Sequence, residues 1–195
     1  MGELSVITGC MYAGKTAELL RRVKREMIAG RRVQLFKPAL DSRYSTTQVV
    51  SHDKLSIEAI PVADTRELIT FLNDPDVIAI DEIQFFDAPI IGFCLEQVSQ
   101  GKIVLCSALA TDFRGEPFRF RHSSLHIGDL MPYANITSLK AICTYKHTDG
   151  RICGRDANMT QRLIDGKPAP RDSPTVLVGG TESYEARCRR HHVID

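Results

Sequence analysis

Two hydrophobic periods alternate along the first half of the chain. Residues 3–8 (ELSVIT) form a short apolar run that ends in a glycine loop. From Lys15 the spacing becomes helical: Leu19, Val23 and Met27 recur every four residues, and Leu20 and Ile28 widen the stripe. Arg21, Arg22, Lys24 and Arg25 fill the opposite face, and Gly30 is placed to stop the helix in the left-handed conformation. Arg32–Phe36 reads as the next strand, so residues 3–36 make a βαβ unit. Asp41–His52 is polar and turn-rich, which predicts a mobile surface loop. Ile57–Val62 predicts a strand and Thr65–Leu72 a helix. Asp76–Ile80 is a continuous apolar run, the mark of a central parallel strand. Ile90–Val98 then reads as a helix and Ile103–Cys106 as another buried strand, with Cys94 and Cys106 in the core. This alternation predicts an α/β domain: a parallel sheet with helices on both faces.

The pattern changes near residue 139. Beyond it the elements are short, Cys, His, Gly and Arg are frequent, and long apolar runs are few. Such a stretch needs a staple to stay folded, so we divide the chain into residues 1–138 and a small lobe, 139–195. A length of 195 residues suits one ordinary domain with an appendage, and 43% hydrophobic and 25% charged residues are globular values. A net charge of +1 advertises neither a nucleic-acid nor a membrane partner. No run of eighteen apolar residues is present and the N-terminus lacks a basic leader, which predicts a cytosolic protein. In that compartment the six cysteines read as metal ligands and core residues before disulfides.

Gly9-Cys10-Met11-Tyr12-Ala13-Gly14-Lys15-Thr16 matches G-x-x-x-x-G-K-[ST] in full, between a first strand and a first helix where the motif must lie. Backbone N–H groups of such a loop cradle phosphate oxygens at the positive end of a helix. Lys15 is then placed for the β- and γ-phosphates and the Thr16 hydroxyl for Mg²⁺. Asp81 and Glu82 follow the central strand at its C-terminal edge, where ligands of open α/β sheets collect. Asp81 suits Mg²⁺, and Glu82 suits a base that prepares the attacking nucleophile. The bland alternative leaves Glu82 as a cap on the next helix. The full phosphate loop favours the functional reading.

The Met and aromatic residue inside this loop, together with Asp81-Glu82-Ile83-Gln84-Phe85-Phe86, resemble the cytosolic (type II) thymidine kinases in their bacterial form. Further matches run along nearly the whole chain: Asp41-Ser42-Arg43-Tyr44, Thr111 to Phe118, Thr160 to Leu163, and Val178-Gly179-Gly180 through Tyr184 to Cys188. The resemblance implies a RecA-like P-loop fold, and transfer of the γ-phosphate of ATP to the 5′-hydroxyl of thymidine with Glu82 as base. It places Asp81 and Gln84 with residues 9–16 on the nucleotide. It encloses the base with Met11, Phe85, Leu109, Phe113, Thr160 and Tyr184, reads the base edge with Leu177, Val178 and Gly179, and brings Asp41 and Arg43 to the transfer site. It further implies dTTP feedback inhibition and a homotetramer. Two positions depart from the family pattern. Cys10 replaces a more usual Pro or Ser, which should matter little in a loop that works through its backbone. Ala110 stands where many relatives carry an acid.

Cys188-x-x-His191 has ligand spacing for tetrahedral zinc. Cys143 and Cys153 are nine residues apart, with Lys146–Arg151 as a hairpin tip turning at Asp149-Gly150. The expected zinc set is Cys143, Cys153, Cys188 and His191, with His147 and His192 as rival ligands, and the resemblance supports zinc. Four protein ligands leave no place for water, so this metal would be structural. It would pin both ends of the excursion 154–187 as a lasso over the nucleoside. Two other classes remain to be weighed. A P-loop ATPase with a nucleic-acid-binding zinc module would use Arg187, Arg189 and Arg190, and a regulatory protein without turnover would not need Lys15, Thr16, Asp81 and Glu82 intact.

Overall fold

The computed structural model describes residues 2–39, 48–50, 56–176 and 184–195. Strand β1 (Glu3–Thr8) leads into helix α1 (Lys15–Ile28), followed by β2 (Val33–Pro38). β3 (Gln48–Val50) and β4 (Ser56–Glu58) form an antiparallel pair, after which come β5 (Ile60–Val62), α2 (Thr65–Phe71) and β6 (Val77–Ile80). α3 (Pro89–Ser99), β7 (Ile103–Ala108) and β8 (Asn135–Ser138) complete the main layer. The strands order β5-β2-β6-β7-β1-β8 in one sheet, every pairing parallel.

Alternation along the strands divides the core in two. Val6, Phe36, Ile78, Ile80, Val104 and Cys106 pack on the side of α2 and α3, with Leu68, Ile90 and Phe93. Ile7, Leu35, Val77, Ala79 and Leu105 pack on the other side, against Leu19, Leu20 and Val23 of α1. Two-sided burial is why these strands read as unbroken apolar runs. The expected α/β sheet with helices on both faces is the observed architecture. One strand, β7, lies between β1 and β6, the RecA-like order. The loops after β1 and β6 therefore open at the same sheet edge, a strand apart.

Three details differ from the sequence reading. The stripe of α1 is buried only as far as Val23; Met27 and Ile28 are 52% and 86% exposed. Gly30 does end the helix, at φ 77°, with Arg31 N donating to the Glu26 carbonyl at 3.1 Å. The run Ile57–Val62 splits at the buried Ala59, where the chain passes from the β3–β4 hairpin into the parallel sheet. Of the predicted loop 41–52, only Gln48–Val50 is described, as strand β3; the rest lies outside the described residues.

The lobe after β8 is built from short pairs. β9 (Ala141–Ile142) pairs with β10 (Asp156–Ala157), and β11 (Met159–Ile164) lies between β12 (Lys167–Pro168) and β13 (Tyr184–Arg187). Asp165 and Gly166 join β11 to β12 with φ of 50° and 76°, the signature of a two-residue primed turn. The expected hairpin tip at Asp149-Gly150 is present, closed by His147 N donating to the Arg151 carbonyl at 2.8 Å. Cys10 of the glycine loop packs among Ala141, Cys143, Ala157, Ala186 and Cys188. The lobe thus shares its small core with the loop. Among the described residues no helix is long and apolar enough to cross a membrane.

Candidate active site and metal centre

The two glycines of the loop are required for different reasons. At Gly9 an added Cβ would lie 2.6 Å from the Leu139 carbonyl oxygen and 2.9 Å from Ala13 Cβ, so the demand is for space. At Gly14 there is open space, but φ is 82° at the N-terminal cap of α1, so the demand is conformational. Lys15 is buried and its Nζ donates to the Cys10 carbonyl at 3.2 Å, across its own loop. Cys10 Sγ donates to the Ala157 carbonyl at 3.3 Å, and burial pushes this thiol up from its usual range. Its side chain therefore anchors the loop to the lobe. The expectation that Cys10 matters little is corrected: the sequence shows a loop's backbone role, not what lies behind it.

Thr16 Oγ1 sits 3.3 Å from both oxygens of Asp81, which is 4% exposed. Ser107 Oγ donates to Asp81 Oδ1 and accepts from Glu82 N at 3.0 Å. Glu82 adopts φ 50°, ψ 46°, a left-handed backbone uncommon for a residue with a long side chain. That conformation is fixed from both sides: by Ser107, and by Phe85 N donating to the Glu82 carbonyl at 3.1 Å as the turn Ile83–Phe85 begins. Glu82 caps no helix through its side chain, which removes the bland reading. Gln84 is buried, donates to Glu82 Oε2 and accepts from Leu109 N at 3.0 Å.

Of the residues expected around the base, Met11 and Thr160 meet, with Met11 N donating to Thr160 Oγ1 at 3.1 Å. Tyr184 is buried, and its carbonyl accepts from Tyr12 Oη at 3.3 Å. Phe85 is half-buried and stands edge-on to Phe118 at 5.5 Å. Phe113 is buried between two guanidiniums, Arg114 at 4.3 Å and Arg162 at 5.4 Å from its ring centre. Leu109 is buried at the end of β7. Asp41, Arg43, Leu177, Val178 and Gly179 lie outside the described residues.

Sequence reasoning missed two polar residues at this edge and one in the lobe. Ser107 was legible as a hydroxyl inside an apolar strand. Lys37 was legible in the same way; it is buried at the end of β2, one residue past the Phe36–Ile80 pair and so level with Asp81. Arg162 lay in the matched segment Thr160 to Leu163 without a role of its own; it is buried and donates to the Pro174 carbonyl. Arg114 is a clamp. It pairs with Asp112 at 2.6 Å, donates to the Arg171 carbonyl at 2.6 Å and to Thr175 Oγ1 at 3.0 Å, and reaches the Ser173 carbonyl. Three of these four bonds hold residues 171–175.

Cys143, Cys153, Cys188 and His191 converge, their ligand atoms all within 4.8 Å of one another. Cys143 Sγ and Cys188 Sγ lie 3.7 and 3.6 Å from His191 Nδ1. A tetrahedral site with metal–sulfur near 2.3 Å and metal–nitrogen near 2.0 Å has sulfur–nitrogen edges of about 3.5 Å. The donor set therefore fits a four-coordinate metal, and the thiolates select a soft one. The rival ligands are placed elsewhere. His192 Nε2 donates to the Phe113 carbonyl at 2.7 Å, and His147 stands edge-on to Tyr145, which itself stacks on His191 at 4.1 Å.

A phosphate loop between β1 and α1, facing an acid pair at the same sheet edge and braced by a Cys₃His lobe, defines a P-loop phosphotransferase of the α/β class. A profile of the thymidine kinase family matches residues 2–192. The chain belongs to the thymidine kinase family. It is 47% identical to a thymidine kinase of Thermococcus kodakarensis over 99% of this chain and 95% of that one. It is also 47% identical to one of Pyrobaculum aerophilum (98% of each chain) and 45% identical to one of Coprothermobacter proteolyticus (99% and 91%).

Proposed function

We propose that the chain carries out its family's reaction, ATP-dependent phosphorylation of thymidine at the 5′-hydroxyl to give thymidine monophosphate, by in-line transfer with Glu82 as base. The observation that carries this reading is Glu82, left-handed in its backbone directly after the Asp81 that Thr16 meets, with its N–H held by Ser107 and its carboxylate by Gln84. Residues 9–16 would bind the triphosphate through backbone N–H groups and Lys15. Mg²⁺ held by Thr16 and Asp81 would supply neutralisation of the β- and γ-phosphates. Glu82 then accepts the 5′-hydroxyl proton as the oxygen attacks the γ-phosphorus and ADP leaves.

Met11, Phe85, Leu109, Phe113, Thr160 and Tyr184 would enclose the pyrimidine, with apolar walls and few polar groups as such pockets require. Leu177–Gly179 would read its edge, and Asp41 and Arg43 would approach the phosphates. We assign zinc to Cys143, Cys153, Cys188 and His191 as a structural ion, since four protein donors leave no open position. Residues 1–138 then form the nucleotide-binding unit and 139–195 the zinc lobe. A cytoplasmic homotetramer inhibited by dTTP completes the reading. Sedimentation velocity and dTTP titration of the activity test that last part.

The nucleic-acid ATPase reading gains nothing here. Arg187, one of its three basic residues, pairs with Glu185 and lies 4.9 Å over the Tyr145 ring. The deciding assay is Mg-ATP with thymidine, with deoxycytidine, and with no nucleoside. Thymidine monophosphate formed in the first alone supports the proposal. ATP hydrolysis indifferent to nucleoside would overturn it.

A further inference from the structure

Gln84 offers one carbonyl oxygen and one NH₂ group, and the structure uses both inside the protein. It is 1% exposed, in the turn Ile83–Phe85 directly after Glu82. Its Oε1 accepts from Leu109 N at 3.0 Å, and its Nε2 donates to Glu82 Oε2. The orientation of the amide is forced. A backbone N–H can only donate, so the end facing Leu109 is the oxygen and the end facing Glu82 is the NH₂. A carboxylate can only accept, so the second contact agrees with the first.

The two contacts join different parts of the site. Glu82 ends the β6 edge, while Leu109 follows β7 and belongs to the expected wall of the nucleoside pocket. Glu82 itself has an uncommon backbone whose side chain needs an outside restraint to keep one direction. Ser107 fixes its N–H, but only Gln84 is seen to fix its carboxylate among the described residues.

We propose that Gln84 is the positioning residue of the reaction: its amide aims the Glu82 carboxylate and locks that aim to the pocket wall at Leu109. The proposal rests on Glu82 being the base, as argued above. It reassigns Gln84 from the nucleotide, where the family resemblance puts it, because the buried amide already spends its oxygen on Leu109 N and an N–H on Glu82.

Three variants separate the possibilities: Gln84→Met, which loses both contacts; Gln84→Glu, which can still accept from Leu109 but cannot donate to Glu82; and Glu82→Gln. Steady-state kinetics give kcat and both KM values, and calorimetry with a non-hydrolysable ATP analogue gives nucleotide affinity independent of turnover. The expected result is a kcat loss of about tenfold to a hundredfold in both Gln84 variants, the scale of a misaimed catalytic group. ATP-analogue affinity stays within about threefold. Thymidine KM rises more in Gln84→Met than in Gln84→Glu, because only the latter keeps the Leu109 contact. If Gln84→Met does not fold, Gln84→Glu decides on kcat alone. Weakened analogue binding with unchanged kcat would make Gln84 a nucleotide ligand and overturn the proposal. So would wild-type kinetics in both variants while Glu82→Gln is inactive, leaving the role of Glu82 intact. An active Glu82→Gln would instead remove the base assignment and this proposal with it.

Discussion

Gly9 and Gly14 frame the same loop, yet one is held by crowding and the other by its backbone angle. An alanine at Gly9 must displace the Leu139 carbonyl, a backbone atom whose own N–H bonds Thr8 O at 2.7 Å. An alanine at Gly14 only has to accept φ 82°, at a cost of about 1–2 kcal/mol. Denaturant unfolding should therefore rank Gly9→Ala below Gly14→Ala in stability, the former losing about 2–4 kcal/mol by overpacking. The reverse order would mean that β8 and its following residues yield more easily than the turn. The motif was fully legible in the sequence, but it gives both glycines the same reason. Only the neighbour across the sheet separates them. Cys10 teaches the same point: its side chain was invisible to a motif defined by backbone, and it turns out to fasten the loop to Ala157.

At the scale of elements, α1 carries its own charge network. Glu18, in its first turn, accepts from Arg21 at 2.6 and 2.8 Å and from Arg22 at 2.8 Å, and Arg22 goes on to Thr137 of β8 at 2.7 Å. The Arg21 hydrogen bond, with help from Arg22, lowers the Glu18 carboxyl from its usual value of 4.5 to about 2. A depressed acid stabilises the fold fully above its unfolded value and loses that contribution as pH falls through the folded one. Because these side chains are partly in solvent, the network is worth about 0.5–1 kcal/mol. Glu18→Gln should thus unfold more readily than the wild type at neutral pH, with the difference vanishing as pH falls from about 4.5 to about 2. A difference independent of pH would show that Glu18 acts by packing. Elements such as α1, β6 and β7 were readable because burial on one face writes a period into the sequence and burial on two writes an unbroken apolar run. The break at Ala59 and strands β8–β13 were not. They are two to six residues long, and their pairing is decided by what lies opposite.

Across the whole molecule, the Cys₃His lobe and the phosphate loop are joined by three contacts. Cys10 packs with Cys143 and Cys188, Met11 N bonds Thr160, and Tyr12 bonds the Tyr184 carbonyl. Removing the metal, by strong chelation or by Cys143→Ser, should raise hydrogen exchange in residues 141–157 and 184–191. It should also weaken binding of an ATP analogue. Unchanged analogue affinity with a loosened lobe would mean that the three contacts are incidental. The convergence of the three cysteines and His191 was legible from C-x-x-H spacing and the Cys143–Cys153 pair; their packing against the loop was not, since it joins residues more than a hundred positions apart. Glu82 remains the centre of the account. Its most direct test is single-turnover phosphate transfer from Mg-ATP to thymidine, wild type beside Glu82→Gln, with ATP-analogue affinity measured on both. The account predicts that Glu82→Gln binds the analogue normally and loses transfer by about a hundredfold or more. Transfer at the wild-type rate would contradict it.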